Sequence, residues 1–161
     1  MTFQIHALPF QPFAPLFHLD DDALAARGAR RCVATAPVGF PCRVSLEDAS
    51  VGETLVLLPF THQPADSPFR ASGPIYVRES AREAAPAANE VPALLRLRML
   101  SLRAYDSHAL MLGADIVDGR ELESAIDRLF ADPAVAYLHV HFAKPGCYAC
   151  RITCLGPSVR C

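Results

Sequence analysis

Lysine and asparagine are almost missing from this chain: Lys144 is its only lysine and Asn89 its only asparagine. Positive charge therefore rests on arginine, which, with abundant alanine and proline, points to a GC-rich bacterial genome rather than to a mechanism. No block of like charge occurs, and the net charge is −2. That balance argues against a nucleic-acid partner, which needs a basic excess to engage phosphates, but it leaves room for a local basic pocket. Long hydrophobic runs are absent too. The longest, Leu55 to Phe60, is strand-sized and far short of the roughly 20 residues of a membrane span, so no membrane partner is expected. The opening Met-Thr-Phe-Gln-Ile-His has neither the basic nor the apolar region of a signal peptide. Six cysteines without an export signal read as reduced thiols, and the expected location is cytoplasmic. There is no phosphate-binding glycine loop, no Gly-x-Ser-x-Gly elbow and no His-Glu-x-x-His pair, so no cofactor is specified.

What is present is globular. With 161 residues, 52% of them hydrophobic and 20% charged, the chain can bury one core and is short for two. Residues 2–8 suit a short strand. Asp20 is a candidate helix cap, with Asp21 and Asp22 at the positive end, Leu19 stapling onto Leu24, and Gly28 as the stop. Cys32 to Thr35 and Cys42 to Leu46 read as short strands, and Glu53 to Thr61 as a stronger, buried one. From His62 to Pro74, three prolines in thirteen positions erase any period, which predicts a long loop. Ile75 to Glu79 resumes as strand, and residues 80–91 read as a surface excursion.

The second half is more regular. Leu97 to Asp106 and Ala109 to Asp118 predict two antiparallel strands, and Asp118-Gly-Arg-Glu121 resembles a capping box. The stripe Leu122, Ala125, Ile126, Leu129 and Phe130 predicts a helix ended by Asp132-Pro133. Val135 to Ala143 and Cys147 to Leu155 predict two more strands. The expected fold is a single α+β domain, a mostly antiparallel sheet with helices packed on its apolar face.

The segment Tyr137-Leu-His139-Val-His141-Phe carries the most chemical information. Strand period two puts Tyr137, His139 and His141 on one face and Leu138, Val140 and Phe142 on the other. Two imidazoles so spaced can converge on an anion or a metal. Partly exposed strand histidines would give the same pattern. By the same alternation Arg103 and Tyr105 lie opposite an apolar face, and so does Asp115, taken opposite Leu110, Leu112, Ala114 and Ile116. Tyr76 and Arg78 belong to a neighbouring strand, and Arg70 to the loop that could serve as a lid. A concave face rich in Arg, Tyr and His suits a carboxylate or phosphate, which guanidinium groups grip with two bonds. A solvated outer face with ordinary charge pairs is the plainer alternative.

Cys147-x-x-Cys150-x-x-x-Cys154, with Cys161 at the end, invites a zinc reading. Strand-like sequence, Gly146 before the pair and the lack of a second knuckle argue against it, so no zinc held through cysteine is expected. A nucleophilic Cys147 beside a histidine is conceivable; buried, inert cysteine is the simpler reading.

Phe40-Pro-Cys-Arg43-Val-Ser-Leu-Glu-Asp-Ala49, Arg103-Ala-Tyr-Asp106, Ala114-Asp-Ile-Val-Asp-Gly119 and His139-Val-His141 through Gly146-Cys147-Tyr148 together resemble the bacterial domain of unknown function 1203. The resemblance runs over nearly the whole chain. It implies a small stand-alone bacterial protein and no particular activity. The resemblance implies Ala-Ala after Gly-Cys-Tyr, where this chain has Ala149-Cys150, and with it the expectation that Cys150, Cys154 and Cys161 are private to this chain.

Two function classes follow. In the first, an anionic small molecule binds the His/Arg/Tyr face, with a metal on His139 and His141 as an option. Arg70, Arg78 and Arg103 would bind charge, Tyr76 and Tyr105 would line the site, one histidine would be acid or base, and Asp115 would orient a partner. In the second, the chain is a non-catalytic interaction module, or a homo-oligomer, meeting its partner through the sheet face or loop 62–74. Convergent polar side chains favour the first class; a flat apolar patch favours the second.

Overall fold

The alternation of the second half builds an antiparallel sheet. In the computed structural model, which describes residues 1–156, strands β5 (Met99–Tyr105), β6 (Met111–Asp118), β7 (Tyr137–Phe142) and β8 (Tyr148–Cys154) join β1 (Phe3–His6). Their order is β1-β8-β7-β5-β6, and every neighbouring pair is antiparallel. A second sheet of three strands, in the order β2-β3-β4, is formed by β2 (Arg30–Val33), β3 (Thr54–Gln63) and β4 (Ala71–Arg78). The fold is thus mostly antiparallel, with eight strands in two sheets and few helices among the described residues.

The helices are short. Asp20 caps α1 (Asp21–Ala25), its carboxylate accepting from the Ala23 amide at 2.8 Å, and Gly28 follows at φ +69°. Pro92 precedes α2 (Ala93–Arg96). The expected helix over 119–131 begins with a 3-10 turn at Gly119–Glu121 and continues as α3 (Leu122–Leu129). Its buried Leu122, Ala125 and Ile126 join the cluster that holds Leu100, Leu102, Leu138, Val140 and Ile152 of the large sheet. Asn89 anchors the 80–91 excursion on β1, accepting from the Phe3 amide at 2.9 Å and returning its own N–H to Phe3 at 3.0 Å.

Three expectations are corrected. Cys42 to Leu46 is a turn, not a strand: the Leu46 amide donates back to the Cys42 carbonyl at 3.1 Å. Its apolar alternation arises because Cys42, Val44 and Leu46 are buried loop residues. The long loop predicted at 62–74 is shortened to residues 64–70, since β3 runs to Gln63 and β4 starts at Ala71. Pro59 and Pro74 sit directly opposite each other in this hairpin. That is tolerable because β4 is an edge strand and β2 pairs β3 only as far as Leu57, so a missing N–H need break no ladder. Finally, the faces of β6 are reversed. Asp115 pairs with Leu102 and so shares the α3 side, while Ile116 and Ala114 stand exposed opposite Ser101 and Arg103. β6 is an edge strand: Val117 enters the core opposite Leu100, but Leu112, Ala114 and Ile116 stay outside it.

A candidate three-histidine site between the two sheets

Register decides which polar side chains meet. β7 lies directly beside β5, and Arg103 pairs with His139, Ser101 with His141, and Tyr105 with Tyr137. On the other side of β7, His139 pairs with Arg151 and His141 with Tyr148. Paired residues share a face, so His139, His141, Tyr137, Arg103, Tyr105, Arg151 and Tyr148 line one side of the large sheet. The other side is the apolar core.

This polar side is roofed by the far end of β3. Gln63 donates to the Tyr137 hydroxyl at 2.8 Å, and the Phe60 ring lies 6.2 Å from that of Tyr148. Between them His62 stacks on Tyr148 at 5.3 Å and meets the His141 and His139 rings edge-on at 4.9 and 5.9 Å. His62 is a bulge: Thr61 pairs with Ser72 and Gln63 with Ala71, leaving His62 without a partner in the ladder. A second bulge at Ala149 lies opposite the step from Val140 to His141. Extra residues of this kind re-aim side chains and are common beside functional sites.

The roof makes the two β7 histidines interior groups, with His139 3% exposed and His141 fully buried. One nitrogen of each member of the trio lies within 4.8 Å of one nitrogen of each of the others. His141 Nδ1 is 3.0 Å from the Gly146 carbonyl, which can only accept, so that nitrogen carries the proton and Nε2 presents a lone pair. His141 Nε2, His139 Nδ1 and His62 Nδ1 are all buried without a hydrogen-bond partner. Burial, then the neighbouring His141, His62 and arginines, lowers the His139 pKa to about 3. Burial, opposed by the Gly146 bond and aided by Arg103, lowers that of His141 to about 4. Burial and Arg103 also lower His62. Three neutral imidazoles therefore meet at neutral pH, with unused lone-pair positions.

Of the residues singled out from sequence, His139, His141, Arg103 and Tyr105 come together here. The Tyr105 ring lies 5.2 Å from that of His139. The others do not join them. Asp115 lies on the opposite face and binds Arg128 of α3 at 2.6 Å. Arg78 is tied to Ser45, Glu47 and Glu53, the last at 2.7 Å. Tyr76 packs its ring on Phe40, 5.6 Å away, and lines a separate cavity of about 530 Å³ with Arg43 and Cys147. Arg70 is exposed at the hairpin tip, where Phe69 faces Tyr105 at 6.3 Å.

His62 was missed. The proline-rich sequence around it reads as loop, and only the sheet-to-sheet contact brings it to the other histidines.

The cysteines lie elsewhere among the described residues. Cys150 is on the core side opposite Val140, Cys154 is exposed, and Cys147 accepts from buried Arg43 at 3.0 Å. Cys161 lies outside the described residues.

Comparison with curated proteins and with solved structures found no match. A family model described as a protein of unknown function, DUF1203, matches residues 39–154, a span that includes His62, Arg103, His139 and His141. The chain belongs to the DUF1203 family.

Proposed function

We propose that this protein binds a small anionic molecule, a carboxylate or a phosphate ester, on the polar side of its large sheet. One observation carries the reading: the cations on that side lack carboxylate partners. Among the described residues Arg103 and Arg151 form no ion pair, although Arg151 lies over the Tyr137 ring at 4.0 Å. The acid that register puts on this face, Asp118, is at the far end of β6 and is held by Arg120 at 2.6 Å. A guanidinium beside neutral imidazoles and tyrosine hydroxyls supplies donors for an anion and no competing negative charge. Arg103 would bind charge, and Tyr105 and Tyr137 would border the ligand.

The test uses metal-free protein and a panel of inorganic phosphate, simple phosphate esters and small carboxylates, followed by the NMR signals of the Arg103 guanidinium. At least one class should bind. R103Q should weaken it by about tenfold or more, because hydrogen bonds to charged groups contribute roughly 1.5–3 kcal/mol. No response across the panel, or equal affinity in R103Q, would refute the assignment.

This reading assigns the opposite, apolar face of the large sheet to the core. We read α3 as its cover, which makes the domain α+β in the expected sense. Ile126 is fully buried, so Ile126→Ala should cost about 3 kcal/mol in urea unfolding; a cost below about 1 kcal/mol would argue against that packing.

The interaction-module reading has some support of its own. Leu112 and Ile116 on edge strand β6 are 44% and 65% exposed. The buried, converging histidines are unexplained by it, and the anion-binding reading stands ahead.

A further inference from the structure

The buried imidazoles have lone pairs that the protein itself does not use. A polar nitrogen buried without a hydrogen bond is costly, and such groups are few in folded proteins. Here three of the four orphaned buried atoms among the described residues belong to His62, His139 and His141. One such atom would be a local imperfection; three, on histidines that each bring a nitrogen within 4.8 Å of the others, make a site.

We propose that His62, His139 and His141 form a binding site for one divalent transition-metal ion, with a fourth coordination position open toward Arg103. The donor set is three neutral imidazoles with no thiolate or carboxylate, which suits zinc, iron, cobalt or nickel rather than magnesium or calcium. His141 has the outer support such ligands normally show: its Nδ1–H donates to the Gly146 carbonyl, which fixes the ring and leaves Nε2 for the metal. A tetrahedral ion with bonds of about 2.05 Å brings its ligand nitrogens to about 3.3 Å from one another, closer than the 4.8 Å limit of the trio here. Closing the site takes a ring rotation or a small movement of β3. The bulge at His62 is the part of the trio not held by ladder pairing.

The surroundings also constrain the fourth position. Arg103 pairs directly with His139, and among the described residues no carboxylate shares this part of the face. A dication here would meet uncompensated positive charge. The open position should therefore take hydroxide or an anion, whose charge offsets both the ion and Arg103. This last point rests on the anion-binding reading above; the three-histidine ligation does not.

The test is a titration of chelator-treated full-length protein with zinc and with cobalt(II), in a buffer free of coordinating anions. One equivalent should bind. Cobalt should give the intense visible absorption of four-coordinate nitrogen and oxygen ligation, without a cobalt–thiolate band. Loss of an outer-sphere partner alone typically costs 10–100-fold in affinity, so His62→Ala should lose at least about 100-fold. His62 is only half-buried and its substitution spares the large sheet; an unchanged melting curve of the metal-free variant would confirm an intact fold. H139Q/H141Q should abolish binding.

Failure to bind either ion, undiminished binding in His62→Ala, or a thiolate band would each overturn the site. Acetate or phosphate added to the cobalt form should shift the visible spectrum. An unshifted spectrum would overturn the open position while leaving the histidine ligation standing. Anion binding on metal-free protein, measured separately, tells a failure of the anion reading from a failure of the metal site.

Discussion

Metal-free protein should lose about 4 kcal/mol of folding stability between pH 8 and pH 5, about 2 from each of His139 and His141. Both histidines start from an ordinary value of 6.5, and burial lowers them to about 3 and about 4. The unfolded chain thus takes up protons below pH 6.5 while the folded chain stays neutral at both sites. Their contribution is complete above pH 6.5 and is lost as pH falls below it, until the folded state is protonated as well. His62 is lowered for the same reason and acts in the same direction. Arg103 and Arg151 oppose the protonation of His139, and Arg103 and Arg43 that of His141, with no acid among the described residues to offset them. Carboxylates do not confuse the window. Glu53, held near pKa 2 by Ser80 and Arg78, and Asp118, lowered by Arg120, cost stability only at more acid pH. Urea unfolding at a series of pH values with a chelator present measures the slope. His139→Gln should remove about half of it, whatever its effect at pH 8. A flat profile from pH 8 to 5 would mean that the histidines are not buried as described.

Gly119→Ala should be among the most damaging single substitutions in the chain, at about 3 kcal/mol or more. The reason is contact, since Gly119 does not need left-handed backbone: its φ is not positive. A Cβ at this position would lie 1.9 Å from the Leu95 carbonyl oxygen, 2.7 Å from the Leu95 carbonyl carbon and 2.9 Å from Arg96 Cα. All three are backbone atoms, so no side-chain rotation relieves the clash. The Gly119 amide also donates to the Arg98 carbonyl at 2.9 Å, which ties the entry of α3 to the end of α2. An added methyl group would push these segments apart and lift Leu122, Ala125 and Ile126 from their cluster. Thermal unfolding of G119A beside Gly113→Ala makes the comparison, because a Cβ at Gly113 meets nothing within 4 Å. Equal melting temperatures for the two variants would contradict the close approach.

Much of the fold could be read from local patterns. Asp20 caps α1, the apolar stripe from Leu122 forms α3, and β5, β6, β7 and β8 fall within a few residues of their predicted spans. Each rests on short-range physics: a side chain bonding an amide three residues on, or alternation set by the pleat. Where a pattern had two physical causes, sequence alone chose wrongly. Cys42, Val44 and Leu46 alternate because a buried turn needs apolar contacts, and no strand is involved. Leu112 and Ile116 alternate on an edge strand whose apolar side faces outward, which put Asp115 beside α3 instead of beside the histidines.

The same division runs through the candidate site. By itself the sequence determined that His139 and His141 share a strand face and that Arg103 and Tyr105 share another, because period two is a property of the chain. Only tertiary structure decided that these faces are one. β7 had to lie beside β5 in the register that pairs His139 with Arg103. Tertiary structure also supplied His62, seventy-seven residues before His139, by laying a bulged hairpin across the polar side of the large sheet. No local signal marks that contact, since it depends on how two separate sheets pack. That packing also buries His139 and His141, and burial is what keeps them neutral and leaves their lone pairs unsatisfied.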